Sequence, residues 1–251
     1  MAQRALPLPA ARLGRAVHTA GATPEVSGVV LLLPDGETDS RRRPSPLSYA
    51  AQLPLARTLA GAGREDGLAV HVVRYRSRGW NAGADPVADA QWAADEVVRR
   101  YGDVPVCLVG HGMGGRAALR GAGHTAVNSV LAMAPWLPDE PDEPEPVKHL
   151  AGRRVLMVHG TNDARSSPEL SYRLAERAKK ANRDTCRFEV HSDGHALRQH
   201  RSEVMALAAD FIRGSLFARS YARPVADAFA APPPLGLRMP LAAGFGRSLR
   251  H

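Results

Sequence analysis

Residues 104–119 read Val-Pro-Val-Cys-Leu-Val, then Gly110-His111-Gly112-Met113-Gly114-Gly115, then Arg116-Ala117-Ala118-Leu119. An apolar run enters a glycine-rich bend and leaves as a helical pattern. Two arrangements put glycines at such a strand–turn–helix. The first is a dinucleotide-binding turn, G-x-G-x-x-G, which Gly110, Gly112 and Gly115 satisfy. There the helix N terminus would face a pyrophosphate. The second is a nucleophile elbow, G-x-S-x-G, whose central residue sits on a strained turn. Gly110, His111, Met113 and Gly114 fit it, with Gly112 where the central serine would stand.

The flanks weigh between the two. A dinucleotide turn wants an acid at the end of the following strand, about 20 residues on. The following apolar run, Val127–Met133, ends in Ala134-Pro135-Trp136, and the nearest acid, Asp139, lies in a proline-rich stretch. The elbow order is nucleophile, then acid, then histidine. Downstream, the run Arg154–His159 leads into Gly160-Thr161-Asn162-Asp163, and Arg187–His191 leads into Ser192-Asp193-Gly194-His195. Acid and histidine thus follow successive strand ends. That is the carboxyl edge of a parallel sheet, where sites in such folds are built.

Further apolar runs at Gly28–Leu33 and Leu68–Arg74 complete the strand set. Near-continuous apolar character is what strands buried on both faces require. Helical patterns lie between them, at Tyr49–Gly61, Pro86–Tyr101, Met113–Ala122 and Pro168–Ala181. A last one, near His200–Phe217, puts Val204, Leu207, Ala208, Phe211 and Ile212 on one stripe. Asp85 before Pro86 reads as an N-cap ahead of a first-turn proline. Strand–helix alternation at this spacing predicts a three-layer α/β/α sandwich with a mostly parallel, doubly wound sheet.

The 251 residues carry a formal net charge of +8. Residues 1–23 hold Arg4, Arg12 and Arg15 and no acid, and residues 214–251 hold five arginines against Asp227. The excess therefore sits in Pro- and Ala-rich ends, and the body offers no electrostatic case for nucleic acid. These ends read as a flexible basic arm (1–26) and a basic, disordered tail (218–251) around a domain at 27–217. Acids alternating with prolines, from Pro138 through Asp139 and Glu145 to Pro146, read as a solubilising surface loop. Cys107 and Cys186 lack a Cys or His at metal-ligand spacing, so neither a disulfide framework nor a metal is expected. The broken apolar start gives no secretory signal, and no run is long enough to span a membrane, so the expected location is cytoplasmic.

The segments Leu31–Gly36, Gly110–Gly115, His159–Asp163 and Gly194-His195-Ala196 together resemble the α/β-hydrolase superfamily, over residues 27–217. The likeness is to lidless members of the dienelactone-hydrolase or small-esterase type. Only the short stretch 137–153 separates Trp136 from the next strand, which implies a minimal cap. The resemblance assigns Asp163 as the acid, with Asp139 as the fallback, and His195 as the base. It assigns the backbone N–H of Met113 as one oxyanion donor. A second would come from near Gly36, where relatives often show His-Gly and this chain shows Pro34-Asp35-Gly36. Gly112 falls on the nucleophile position and cannot fill it. Cys107 reads as a core residue, His111 points elsewhere, and Ser77, Ser129 and Ser166 lie outside the elbow.

The implied function is therefore an ester-hydrolase descendant, inactive or weak as a serine hydrolase, that can still take a small ester-like ligand. It needs no cofactor. In the alternative, the His195–Asp163 dyad works on a bound water. Restoring Ser at 112 is expected to restore reaction with fluorophosphonates. Trp80 and Trp136, near strand ends, either line a pocket or simply pack.

Overall fold

The structure is a computed structural model and describes residues 10–17, 25–139 and 143–247. Its strands are β1 (Arg12–Leu13), β2 (Gly28–Leu33), β3 (Leu68–Arg74), β4 (Val106–His111), β5 (Val127–Met133), β6 (Arg154–Gly160), β7 (Thr185–Val190) and β8 (Met239–Pro240). They form one sheet in the order β1-β3-β2-β4-β5-β6-β7-β8. Every pairing is parallel except that of β1 with β3. The order reverses between β2 and β4, so the loops after these two strands open onto one crevice.

Both faces of the sheet are covered. On one, α2 (Asp85–Tyr101), α3 (Met113–Gly121) and α4 (Pro168–Ala181) pack over Val29, Leu31, Leu108 and Val130. On the other, α1 (Pro46–Ala62), α5 (Arg201–Phe217) and α6 (Arg223–Ala230) pack over Val30, Leu32, Leu131 and Leu156. All six residues of β2 are buried. This explains its unbroken apolar sequence, since alternate side chains enter opposite cores. Between β5 and β6 the described chain holds only loop and one short 3-10 turn, Lys148–Leu150, so no cap domain is inserted there.

Four expectations need correction. Part of the N-terminal arm is structured: Arg12 and Leu13 pair with Arg74 and Val73, and Val17 bridges Val70. Residues 1–9 and 18–24 of that arm lie outside the described residues. The C-terminal segment, read as a disordered tail, folds as far as residue 247. Val225, Ala228 and Leu237 are fully buried, and β8 lies beside β7. Burying Val225 and Leu237 offsets the entropy of ordering the segment by about 1.5–3 kcal/mol each. The overlooked signal was Val225, Ala228 and Phe229 at helical spacing behind Pro224. Third, Asp85 is the first helical residue rather than the cap. Its Oδ2 accepts from Asn81 Nδ2 at 2.9 Å and Ser77 Oγ at 3.3 Å, while Ala84 takes the cap position at φ +50°.

Finally, the acidic loop is more than solvated charge. Glu145 is buried and pairs with Arg116 Nη2 at 2.5 Å and Arg120 Nε at 2.9 Å. The Arg116 guanidinium lies 4.1 Å from the ring centroid of Trp80 and 4.9 Å from that of Trp136. Trp80 is thus a packing residue, whereas Trp136 also reaches the cleft described below.

Candidate active site

The bend between β4 and α3 places Gly112 at φ +55°, ψ −119°. A side chain there is strained by about 1–3 kcal/mol, which glycine largely avoids. The bend is pinned on both sides: Gly112 N donates to Met133 O at 3.0 Å, and Gly112 O accepts from Trp136 N at 2.9 Å. Helix α3 then starts so close to β2 that a Cβ on Gly114 would lie 2.0 Å from Leu33 O. This approach carries the N–H of Met113 to the loop after β2.

The loop after β2 supplies a carboxylate at this bend. Asp35 Oδ1 accepts from the backbone N–H of Gly36 and from that of Met113, each at 2.9 Å. A Cβ built on Gly112 would fall 2.1 Å from Asp35 Oδ1, 2.5 Å from its Cγ and 3.0 Å from Oδ2. The Asp35 carboxyl group therefore occupies the space that a side chain on residue 112 would need.

His195 comes in from the loop after β7. Its Nδ1 donates to Asp163 Oδ2 at 2.8 Å, and its Nε2 faces Asp35 Oδ2 at 3.6 Å. That second gap is an ion-pair distance rather than a hydrogen bond, and Nε2 has no hydrogen-bond partner. The ring is held by its surroundings. His111 Nε2 donates to the His195 carbonyl at 2.8 Å, and the two rings meet edge to face at 4.7 Å. Buried Asp193 organises the loop, its carboxylate accepting from the N–H groups of Gly194, Arg198 and His200.

Asp163, on the loop after β6, is buried and fully engaged. Its Oδ1 accepts from Arg165 N at 2.8 Å and Ser166 N at 3.0 Å, and His159 Nε2 lies 3.0 Å from Oδ2. Burial opposes its ionisation, but these hydrogen bonds prevail and hold its carboxyl far below the ordinary value. For His195, burial disfavours the charged form, yet Asp35 and Asp163 together outweigh it and raise its pKa. Asp35 is likewise desolvated but lowered, by His195, His111 and the two backbone N–H groups. Both carboxylates thus favour the charged form of the ring.

The structure thus brings together His195, Asp163, Gly112, Met113 and Gly36, from four different loops. Asp139 is exposed and takes no part. Cys107 is fully buried, and burial pushes its thiol up to about 12, so no thiolate forms near neutrality. Ser77 and Ser129 are also fully buried. Sequence reasoning missed Asp35, His159 and His111 as members of the cluster. For Asp35 the one available signal was its departure from the His-Gly of relatives. Its carboxylate also stands before the N terminus of α3, where a dinucleotide's pyrophosphate would have to bind, and like charge opposes that. One ligand atom each from Asp35, His111 and His195 lies within 4.8 Å of the others, the grouping of the described residues that could hold a cation. Arg165 Nη2 already approaches Asp35 Oδ2 at 3.6 Å, so part of the charge is met from within.

The site opens on a polar cleft of about 420 Å³ bordered by Glu37, Thr38, Trp136, Arg165, Ser166 and His195. Among the described residues no helix is long and apolar enough to cross a membrane.

Comparison with known proteins agrees with this architecture. An esterase from Pyrococcus furiosus superposes with a TM-score of 0.61 at 15% identity, over 76% of this chain and 83% of that one. A serine hydrolase without a lid from Xanthomonas campestris gives 0.61 at 16%, over 84% and 90%. A monoacylglycerol lipase from Paleococcus ferrophilus gives 0.57 at 18%, over 80% and 97%. At such identities the likeness is one of fold, here the α/β-hydrolase fold. No curated protein matches the sequence. Residues 74–215, more than half of the chain, match the Dienelactone hydrolase family, and the chain belongs to that family.

Proposed function

We propose that this protein descends from carboxylic-ester hydrolases and is inactive or weak in serine-type acyl transfer. In that chemistry a side-chain oxygen attacks the carbonyl, histidine takes its proton, and two N–H groups stabilise the oxyanion. Gly112 stands at the nucleophile position and offers no oxygen. The N–H groups of Met113 and Gly36, read as the oxyanion hole, are engaged by Asp35 Oδ1 at 2.9 Å each. The single observation carrying this reading is that carboxyl group in the space of a residue-112 side chain. It withholds both the attacking atom and the hole from an ester carbonyl. A weak water-mediated route would need His195 to act as a base, and Asp35, by favouring the charged ring, works against that.

The test is reaction with a fluorophosphonate probe. The native protein should stay unlabelled. The double variant Gly112→Ser with Asp35→Gly supplies the hydroxyl and clears its space, and should label in a His195-dependent way. A labelled native protein, or a folded double variant that stays unlabelled, refutes the reading.

A further inference from the structure

Three observations at Asp35 describe a different chemistry when taken together. Asp35 Oδ1 is bound by two backbone N–H groups, its Oδ2 is turned toward the unpartnered Nε2 of His195, and its side chain is one-quarter exposed. We propose that Asp35 is itself a catalytic nucleophile, attacking a saturated carbon that bears a leaving group to form an alkyl ester of the protein, which the His195–Asp163 pair then hydrolyses. The inference rests on the absence of serine-type chemistry and names what takes its place.

The steps balance. A lone pair on Asp35 Oδ2 forms a bond to the substrate carbon as the bond to the leaving group breaks, and the group departs with its electron pair. Oδ1 becomes the carbonyl oxygen of the new ester without moving from its two donors. Esterification removes the charge of Asp35, so the His195 imidazolium loses one of its two carboxylate partners and gives its proton to solvent. Neutral Nε2 then takes a proton from water, whose oxygen adds to Asp35 Cγ. Negative charge develops on Oδ1, where the N–H groups of Gly36 and Met113 already point. The intermediate collapses, the bond from Cγ to Oδ2 breaks, the departing alkoxide recovers the proton from His195, and the new Asp35 carboxyl passes its own proton to Nε2, which restores the starting pair. Substrate and water become an alcohol, a proton and the released anion.

The geometry also selects the substrate class. An acyl substrate needs donors for its own carbonyl oxygen, and both are in use. Displacement at a saturated carbon builds no tetrahedral oxyanion on the carbon attacked, and uses the two donors only in the second step. The class is therefore small electrophiles with a good anionic leaving group, such as alkyl halides, or strained rings such as epoxides, whose ring oxygen takes its proton from water. Arg165, largely exposed on the cleft with Nη2 3.6 Å from Asp35 Oδ2, is placed to meet the departing anion.

The experiment uses the full chain with phenacyl bromide and styrene oxide, read by intact and peptide mass spectrometry. In His195→Gln the ester should accumulate on the peptide containing Asp35, with the mass of the added group. In native protein turning over in heavy-oxygen water, Asp35 should acquire a heavy oxygen, and the first alcohol released should carry an ordinary one. Asp35→Asn, checked by thermal melting, should lose both signals. Because the native protein reports through isotope exchange, a poorly folded His195→Gln leaves the test intact. Adducts confined to other residues, adducts unchanged in Asp35→Asn, or an Asp35 without heavy oxygen would overturn the proposal. Those results combined with an unlabelled native protein in the fluorophosphonate assay sink this inference alone; a labelled native protein sinks the reading beneath it.

Discussion

Placing serine at residue 112 without touching Asp35 should fail to give a reactive site, and the structure says at what cost. The new Cβ would stand 2.1 Å from Asp35 Oδ1, whereas ordinary contacts begin near 3.4 Å, so the carboxylate must retreat by more than an ångström. Retreat breaks its hydrogen bonds from Gly36 and Met113, worth about 1.5–3 kcal/mol each because the acceptor is charged. Backbone strain at positive φ adds about 1–3 kcal/mol. Partial relaxation and rehydration of the freed carboxylate return some of this, which leaves about 3–5 kcal/mol of destabilisation. For a domain of this size that lowers Tm by roughly 6–20 °C, at about 2–4 °C per kcal/mol. Adding Asp35→Gly removes the clash and the displaced charge but not the loss of the two hydrogen bonds, so it should recover little of the stability. The assay is a thermal melt of native, single and double variants beside fluorophosphonate labelling. Both variants should melt below the native protein, and only the double should label fully. A single variant that melts like the native protein and labels fully would show that Asp35 does not occupy this space.

Other perturbations have defined outcomes. The raised pKa of His195 contributes stability that is fully present below its unfolded value of about 6.5 and lost as pH rises through the higher folded value. The lowered pKa of Asp35 contributes stability present above about 3.9 and lost as pH falls through the lower folded value. Asp35→Asn should flatten the alkaline decline in denaturant titrations across pH; an unchanged profile refutes the ion pair. Glu145→Ala removes the carboxylate shared by Arg116 and Arg120 and should cost about 3–5 kcal/mol in urea unfolding. A change within experimental error would make that pair ornamental. Leu237→Ala, at a fully buried position, should cost about 2–5 kcal/mol, and no loss would mean that the C-terminal segment is not docked in solution.

The parallel strands could be read from sequence because burial on both faces leaves a one-dimensional mark: β2, β3 and β5 coincide with their apolar runs. Asp163 and His195 could be placed because each follows a strand end by a few residues, and topology gathers strand ends. The role of Asp35 could not be reached in this way. Its partner Met113 lies 78 residues on, and only the reversal of strand order between β2 and β4 makes the two neighbours. Glu145 was hidden by its company, since charged residues among prolines look alike whether solvated or paired with a buried arginine. The C-terminal helix was hidden by its short length and by the prolines on either side. Its stability comes from contacts with β7 rather than from its own propensity.

The last described residues also settle what the sheet presents at its far side. Strand β7 would otherwise end the sheet as an open row of amide and carbonyl groups, able to recruit a strand from another molecule. The two-residue β8 lies along it, and Leu241 N donates to Glu189 O at 2.9 Å just beyond. Buried Arg187, on β7 itself, reaches across to the Leu237 carbonyl at 3.0 Å. A segment whose composition suggests a dispensable appendage therefore serves as a selvedge: it keeps this fold from being stitched edge to edge with its own copies.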